Sequence, residues 1–403
     1  MGFSVSGHGA DFDSKLIMQK FDVAVVGAGP AGSAAAISLA RRGYSVALLD
    51  KQRFPREKLC GDFVNPANWP VLRKLGVEKK LLSSNHEKVT TFRITSFSGE
   101  EAEVPLSSRN GDTFFGLGLR RASLDHLLLK EAESGGVAVL QECRLRELRR
   151  DSDNWFLEVE RSRNLEELHA KILIGADGRN SWVAHRLGLA GSATMQGRAV
   201  GFQLRLKSAK ARQGKVEIHL FPGGYAGLVG VGGDIVNLCF AVEKYQLFHH
   251  RSVDLLIESC LPQNSRLKEI LDRSERVGEI RSTYPVYFPP RRSYAEVVLL
   301  VGDAARVNEP VSGEGIYFAL KSGELAAKCI DQAFRRSDFS KEGLCLYERE
   351  CRRTFRLRRS INSLIRLLIY RPALLSPFIR FSAERRGMLD SIVHAICQPG
   401  IAR

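Results

Sequence analysis

Apolar positions along the chain predict alternating strands and helices in a definite order. From residue 21 the sequence reads FDVAVVGAGPAGSAAAISLARRGYSVALLDK. Residues 23–26 form a short β-branched and apolar run, 34–40 an alanine-rich helix stopped by Arg41-Arg42-Gly43, and 44–49 a second strand. A charged segment with Pro55, Gly61 and Pro66 follows, then a helix ending near Gly76. Residues from about 89 to 119 alternate as strands, 124–132 have helical apolar spacing, and 137–140, 155–160 and 171–174 read as strands again. Between roughly 199 and 242 the pattern shifts to strands and glycine turns, 219–233 among them, which predicts a second lobe built on a sheet and continuing to about 290. Residues 296–301 make one more buried strand, and a helix runs from about 315 to 334. The remainder is helical and basic.

The turn between the first strand and helix carries the first chemistry. Gly27-Ala28-Gly29-Pro30-Ala31-Gly32 matches G-x-G-x-x-G in its required context, strand before and helix after. One glycine permits the tight turn, the next lets a pyrophosphate approach the backbone, and the third lets helix and strand pack closely. The helix N-terminus then offers unpaired N–H groups to the phosphates. Asp50, at the end of the second strand, is placed for an adenosine ribose. Ile172-Leu173-Ile174-Gly175-Ala176-Asp177-Gly178-Arg179-Asn180-Ser181 and Val298-Leu299-Leu300-Val301-Gly302-Asp303-Ala304-Ala305 are two further strands running into acidic glycine turns. The second leads through Pro310 to Gly313-Glu314-Gly315. A carboxylate at such a strand end can hold a polyol hydroxyl, and a glycine-rich helix start can present N–H groups to an electron-rich ring edge. Their order and wide separation distinguish FAD from NAD. No second dinucleotide fingerprint follows, so NAD(P)H is expected only as a transient reductant.

These three segments resemble the phosphate turn, the Asp-Gly motif and the Gly-Asp motif of the para-hydroxybenzoate hydroxylase-type flavoproteins. Within that superfamily, Phe54-Pro55-Arg56-Glu57-Lys58-Leu59-Cys60-Gly61-Asp62 is similar to the Lys-x-Cys-Gly stretch of the geranylgeranyl reductase family. The resemblance covers roughly residues 21–334. It implies that Asp303 contacts the ribityl chain, that the turn from Gly313 through Gly315 and Ile316 faces the flavin ring, and that Arg121, in Arg-x-x-Leu-Asp, lies near the cofactor. It also implies that Cys60 sits near the isoalloxazine and the substrate. The expected cofactor-binding set is Gly27, Gly29, Ala31, Gly32, Asp50, Lys51, Arg56, Cys60, Arg121, Asp177, Gly302, Asp303, Pro310, Gly313, Gly315 and Ile316. Two departures matter. Prenyl reductases of this family often carry Tyr-x-Trp-x-Phe-Pro where this chain has Gly224-Tyr225-Ala226-Gly227-Leu228-Val229. Flavin-dependent halogenases typically carry Gly-Glu-Ser or Gly-Glu-Ala in place of Cys60-Gly61-Asp62, and a Trp-x-Trp-x-Ile-Pro motif that this sequence lacks.

The fold class that follows is α/β: a Rossmann-like FAD-binding domain over 21–195 and 291–335, with 85–120 contributing to the substrate lobe. A mainly β-sheet substrate domain spans 196–290, a C-terminal helical region 336–403, and a flexible tail 1–20. A chain of 403 residues with 44% hydrophobic and 26% charged residues is globular and of more than one domain. The tail lacks the charged start and apolar core of a secretory signal. The eight cysteines form no CxxC pair, which points away from a disulfide framework and a structural metal, and a reducing cytoplasm fits best.

The net charge of +15 would attract anionic partners. With no zinc spacing and no aromatic-basic motif, nucleic acid is not expected among them. From Arg352 to Arg386 arginines recur among Leu, Ile and Phe, with Glu384 alone acidic. On a helix, Leu357, Ile361, Leu364, Ile365 and Leu368 would form one stripe and Arg352, Arg356, Arg359 and Arg366 another. The favoured expectation is that the apolar stripe packs on the flavin domain. The other is that this amphipathic basic helix lies on an anionic membrane surface or meets an acidic carrier protein. Pro372 and Pro377 exclude a spanning helix.

The leading functional expectation is a FAD-dependent oxidoreductase that reduces a carbon–carbon double bond in a largely apolar small molecule, with hydride from reduced flavin. Cys60, Asp62 and Tyr225 are the candidates to line its cavity or supply a proton. A monooxygenase acting on an aromatic or polyketide-like substrate uses the same frame, and a flavin-holding electron-transfer or binding protein is the third alternative.

Overall fold

The computed structural model describes residues 19–97, 99–106, 114–191, 198–208, 214–371, 375, 377, 379–381 and 387–398. Residues 1–18 of the expected tail lie outside that set, whereas Gln19 and Lys20 already belong to the first strand. That strand, Gln19–Val26, is central in an eight-stranded sheet, flanked in parallel by Val46–Leu49 and by Asn164–Gly175. Ala138–Leu140 and Val298–Leu300 extend it in parallel on the two sides. These strands are continuous apolar runs because both faces of the sheet are covered. One face carries the helices Pro30–Ala40, Arg121–Ser134 and Gly315–Arg336. The other carries a hairpin of Cys143–Arg150 and Trp155–Arg161, which pairs antiparallel with the first half of Asn164–Gly175. Sequence periodicity missed the first hairpin strand, whose residues CRLRELRR are too polar to read as a buried run.

A second, seven-stranded sheet has the order Glu275–Thr283, Ala199–Lys207, Ile235–Glu243, Gly224–Gly230, Lys215–Phe221, Thr91–Thr95, Glu101–Pro105. Its last two strands come from the segment before the lobe, and Thr91–Thr95 pairs in parallel with Lys215–Phe221. Helices Val253–Cys260 and Ser265–Asp272 cover one face. Under them Asn264 donates to Thr95 Oγ1, Ser96 O and Leu220 O at 3.0, 3.1 and 3.0 Å. Thr95 Oγ1 lies 2.8 Å from His219 Nδ1. Burial, aided by the charges of Arg266 and Arg93, pushes the His219 imidazole down to about 3. Below its ordinary value of 6.5 the unfolded chain therefore takes up a proton that the folded chain refuses, so stability is full above that pH and falls as pH drops toward 3. Comparing urea unfolding at pH 7 and pH 4, a His219→Gln chain is expected to lose about 3 kcal/mol less than the parent. Equal losses would remove this account.

The C-terminal region is built on a helix, Lys341–Ile369, capped by Ser340 Oγ accepting from Gly343 N–H, and a second helix, Gly387–Cys397. The expected stripe needs correcting. Ile361, Ile365 and Leu368 do pack, but Leu357 and Leu364 are 64% and 53% exposed. The buried face instead runs through Tyr347, Cys351, Phe355, Arg358, Asn362 and Ile369. It is rotated because two polar residues, Arg358 and Asn362, find buried partners there. Of the expected arginine stripe, Arg352 and Arg356 are exposed and Arg359 and Arg366 half-buried. Pro372 lies outside the described residues. Among the described residues no helix is long and apolar enough to cross a membrane.

Candidate active site

One continuous cavity of about 910 Å3 is lined by both sheets and by the C-terminal helices. Of the residues expected in the site, all but Gly32, Gly302 and Asp62 line it. At the nucleotide end, Gly27 has φ +108°, and a Cβ there would lie 2.4 Å from the Ala176 carbonyl oxygen. A Cβ on Gly32 would lie 1.9 Å from the carbonyl oxygen of Gly27, so Gly32 shapes the turn from beneath without reaching the cavity. Above Gly29, at the start of helix Pro30–Ala40, an added Cβ would meet only Arg56, at 3.7 Å. Asp50 accepts from Ala28 N–H and Gln52 N–H, both at 3.0 Å, which fixes its carboxylate beside the turn. Arg56 lies 3.4 Å from Asp50 and 3.2 Å from Asp125, and its buried Nε has no partner among the described residues.

Asp125 organises the middle of the site and was missed in the sequence. It is fully buried and accepts from Arg121 Nε and Nη2 at 2.9 and 2.8 Å, as well as from Arg56. The signal was its position four residues after Arg121 on one helix, where side chains meet. Cys60 is half-buried on the cavity wall; burial raises its thiol, although the nearby Arg121 guanidinium pulls the other way. Its carbonyl accepts from Gln203, Asn237 and Cys239 at 3.0, 2.9 and 2.9 Å, so the second sheet clamps the loop that bears it. Asp62 is not on the wall. With φ +55° and no exposure, its Oδ1 accepts from Arg121 N–H at 3.1 Å and its Oδ2 lies 3.5 Å from Arg205. Burial, partly offset by Arg205, lifts it to about 7. Its position makes it a link between loop, helix and sheet.

Asp177 does line the cavity, yet both its oxygens are engaged within its own turn, by Ser181 Oγ at 2.5 Å and Val183 N–H at 3.1 Å. Asp303 faces Arg179 at 3.7 Å and lies near the half-buried Lys58, whose ammonium is lowered by desolvation despite Asp303. Pro310–Ser312 turns through Gly313 into helix Gly315–Arg336. Glu314, at the start of that helix, is buried against Arg358 at 2.7 Å, and Arg358 also donates to the carbonyls of Ile396 and Gln398. The helix start is thereby tied to both C-terminal helices.

Tyr225, fully within the second sheet, reaches the cavity and donates from its hydroxyl to Glu309 Oε1 at 2.5 Å. Burial raises both the Tyr225 phenol and the Glu309 carboxyl. Asn362 holds the backbone of Glu309, accepting from its N–H at 3.2 Å and donating to its carbonyl at 2.9 Å. Around Tyr225 the walls are apolar, with Phe92, Ile94, Val216, Ile218, Val286 and Leu368 among them.

A model described as the FAD binding domain matches residues 20–356. The chain belongs to that family. A menaquinone reductase of Mycobacterium tuberculosis is 31% identical over 328 residues, 77% of this chain and 76% of its own length. A digeranylgeranylglycerophospholipid reductase of Methanothrix thermoacetophila is 30% identical over 346 residues, 82% of this chain and 83% of its own. Among solved structures, a geranylgeranyl bacteriochlorophyll reductase-like protein of Thermoplasma acidophilum shares the fold, with TM-score 0.78 at 21% identity, covering 94% of this chain and 95% of that one. A 1H-pyrrole-2-carbonyl-[peptidyl-carrier protein] chlorinase of Pseudomonas fluorescens is 27% identical over 81% of this chain, and a flavin-dependent halogenase and a probable FAD-dependent monooxygenase of Pseudomonas aeruginosa share the fold at 22% and 19% identity. This FAD-binding chain is therefore a FAD-dependent oxidoreductase with an α/β fold, a parallel cofactor sheet and an antiparallel-rich second sheet. The cavity fits the cofactor: open space over Gly29, the helix start, an unpaired Arg56 Nε and the Asp50 carboxylate suit an adenosine diphosphate. Asp303, Gly313 and Gly315 line the same cavity, where they would meet its other half. Bound there, FAD supplies two-electron redox chemistry.

Proposed function

We propose that this chain reduces a carbon–carbon double bond in a largely apolar small molecule. The observation that carries the reading is the cavity itself: a polar end suited to the cofactor continues into apolar walls around Tyr225, the one phenol among the described lining residues, with its buried carboxyl partner Glu309. Reduction of a double bond adds a hydride and a proton, and the cofactor accounts only for the hydride. Tyr225 Oη–H is the donor for the proton, and Glu309 Oε1 holds that hydroxyl in place. Cys60 and Arg121 close the wall on the cofactor side, and the apolar residues exclude water and orient the substrate. NAD(P)H serves as reductant without a dinucleotide fold of its own. The names of the reductases among the relatives support the same chemistry.

The test is anaerobic. The yellow protein, reduced with NADPH or NADH and mixed with menaquinone or digeranylgeranylglycerophospholipid, is expected to be reoxidised without oxygen and to yield a product one H2 heavier. Reoxidation only on admitting air, with oxygen in the product, would replace this reading by the monooxygenase. In the same assay Tyr225→Phe is expected to slow reoxidation by substrate about 100-fold while leaving reduction by NAD(P)H unchanged. An equal effect on both half-reactions would deny Tyr225 the donor role.

A further inference from the structure

The helix Lys341–Ile369 has a second face that meets the cavity only at Leu364. Leu357, Leu364 and Leu367 are 64%, 53% and 51% exposed, and large apolar side chains in such a row are unusual on a free surface. At 3.6 residues per turn they fall on one side of the helix, interleaved with the exposed Arg353 and Arg356 and, just beyond the helix, Arg371. Among the described residues Arg353 pairs with Glu350, but Arg356 and Arg371 have no carboxylate partner. Apolar side chains level with unneutralised arginines match the boundary between anionic headgroups and acyl chains, where the leucines enter hydrocarbon and the guanidinium groups remain among the phosphates. The same helix turns inward next to this row, since Leu364, Ile365 and Leu368 line the cavity. The exposed row and the apolar cavity wall are thus one continuous surface. An acidic carrier protein would also match the arginines, but it would not require three leucines open to solvent.

We propose that this face docks on an anionic lipid bilayer, with Leu357, Leu364 and Leu367 inserted and Arg353, Arg356 and Arg371 on the headgroups. Delivery of substrate from the bilayer past Leu364 and Leu368 rests on the apolar-substrate reading above; the docking itself does not. The experiment is co-sedimentation of the full-length, FAD-loaded protein with vesicles of phosphatidylcholine alone and of phosphatidylcholine mixed with phosphatidylglycerol. Binding is expected to the mixed vesicles, weakly or not at all to phosphatidylcholine alone, and to fall with added salt. The R356Q/R371Q variant is expected to bind mixed vesicles about 30-fold more weakly, from the usual attraction per basic residue. The L357S/L367S variant, neither residue of which lines the cavity, is expected to lose binding while staying yellow and keeping its far-ultraviolet spectrum. Failure of the parent to sediment with mixed vesicles overturns the proposal, as does binding unchanged in both variants. Tight capture of an acidic acyl carrier protein, abolished by R356Q/R371Q and unaffected by L357S/L367S, overturns it in favour of that partner. None of these readouts uses substrate turnover, so failure of the reductase reading leaves the result interpretable.

Discussion

Replacing Gly32 by valine is expected to give a chain that purifies colourless and takes up no FAD on reconstitution. The residue lies in the first turn of helix Pro30–Ala40, and even a Cβ there would stand 1.9 Å from the Gly27 carbonyl oxygen and 3.1 Å from Ala176 Cβ. Neither neighbour is a flexible chain end, so relief has to come from the helix start moving off the strand. That motion opens the turn whose N–H groups would face the diphosphate of bound FAD, and it carries Ala28 N–H away from Asp50. The helix itself, buried along most of its length against the cofactor sheet and helix Gly315–Arg336, supplies enough packing to survive. The expected signature is loss of the flavin absorbance with little change in far-ultraviolet ellipticity. A valine variant that binds FAD like the parent would mean that the close approach at Gly32 does not shape the phosphate turn.

The second large effect is expected at Asp125. Its carboxylate is shared by Arg121 and Arg56, whose side chains are 9% and 10% exposed, so Asp125→Ala leaves two guanidinium groups in a poorly solvated site. Removing one partner from a buried ionic cluster costs about 3–5 kcal/mol, because the remaining charge keeps its desolvation penalty and loses its compensation. Two consequences follow for measurement. The urea midpoint should fall by that amount divided by an unchanged slope, and flavin fluorescence should report a released cofactor, since Arg56 and Arg121 both line the cavity. Asp125→Asn keeps the shape and part of the hydrogen bonding and should fall between. The contrast is Glu78→Ala, which breaks only the exposed pair with Arg73 and should leave the midpoint almost unmoved. Equal stability of the Asp125→Ala and parent chains would show that the arginines find other partners.

Glu314 and Arg358 illustrate the limits of reading helices by apolar spacing. The sequence marks Leu357 and Leu364 as packing residues, yet the helix buries Arg358 and Asn362 and leaves those leucines out. Periodicity finds a buried face only when that face is apolar. Here two polar side chains are buried because each meets partners from distant segments: Arg358 meets Glu314 and the carbonyls of the last helix, and Asn362 meets the backbone of Glu309. Burial of both Glu314 and Glu309 raises their carboxyls, but Arg358 offsets this only for Glu314.

By itself, the sequence determined the cofactor frame. The strand–turn–helix with its glycines, Asp50 after the second strand, and the Gly302-Asp303 corner depend on sterics and hydrogen bonds within a few residues of each motif, and such short-range physics is written in local residue order. The tertiary structure alone decided how that frame becomes a site. It brought Asp125 to Arg56, took Asp62 out of the cavity wall and into a link with Arg205, used the Asp177 oxygens inside their own turn, and hung the Cys60 carbonyl on Gln203, Asn237 and Cys239. Those pairings join groups up to 179 positions apart in the chain. Whether a charge is buried, and which donor satisfies it, is settled by distance through the folded core, which spacing along the sequence does not encode.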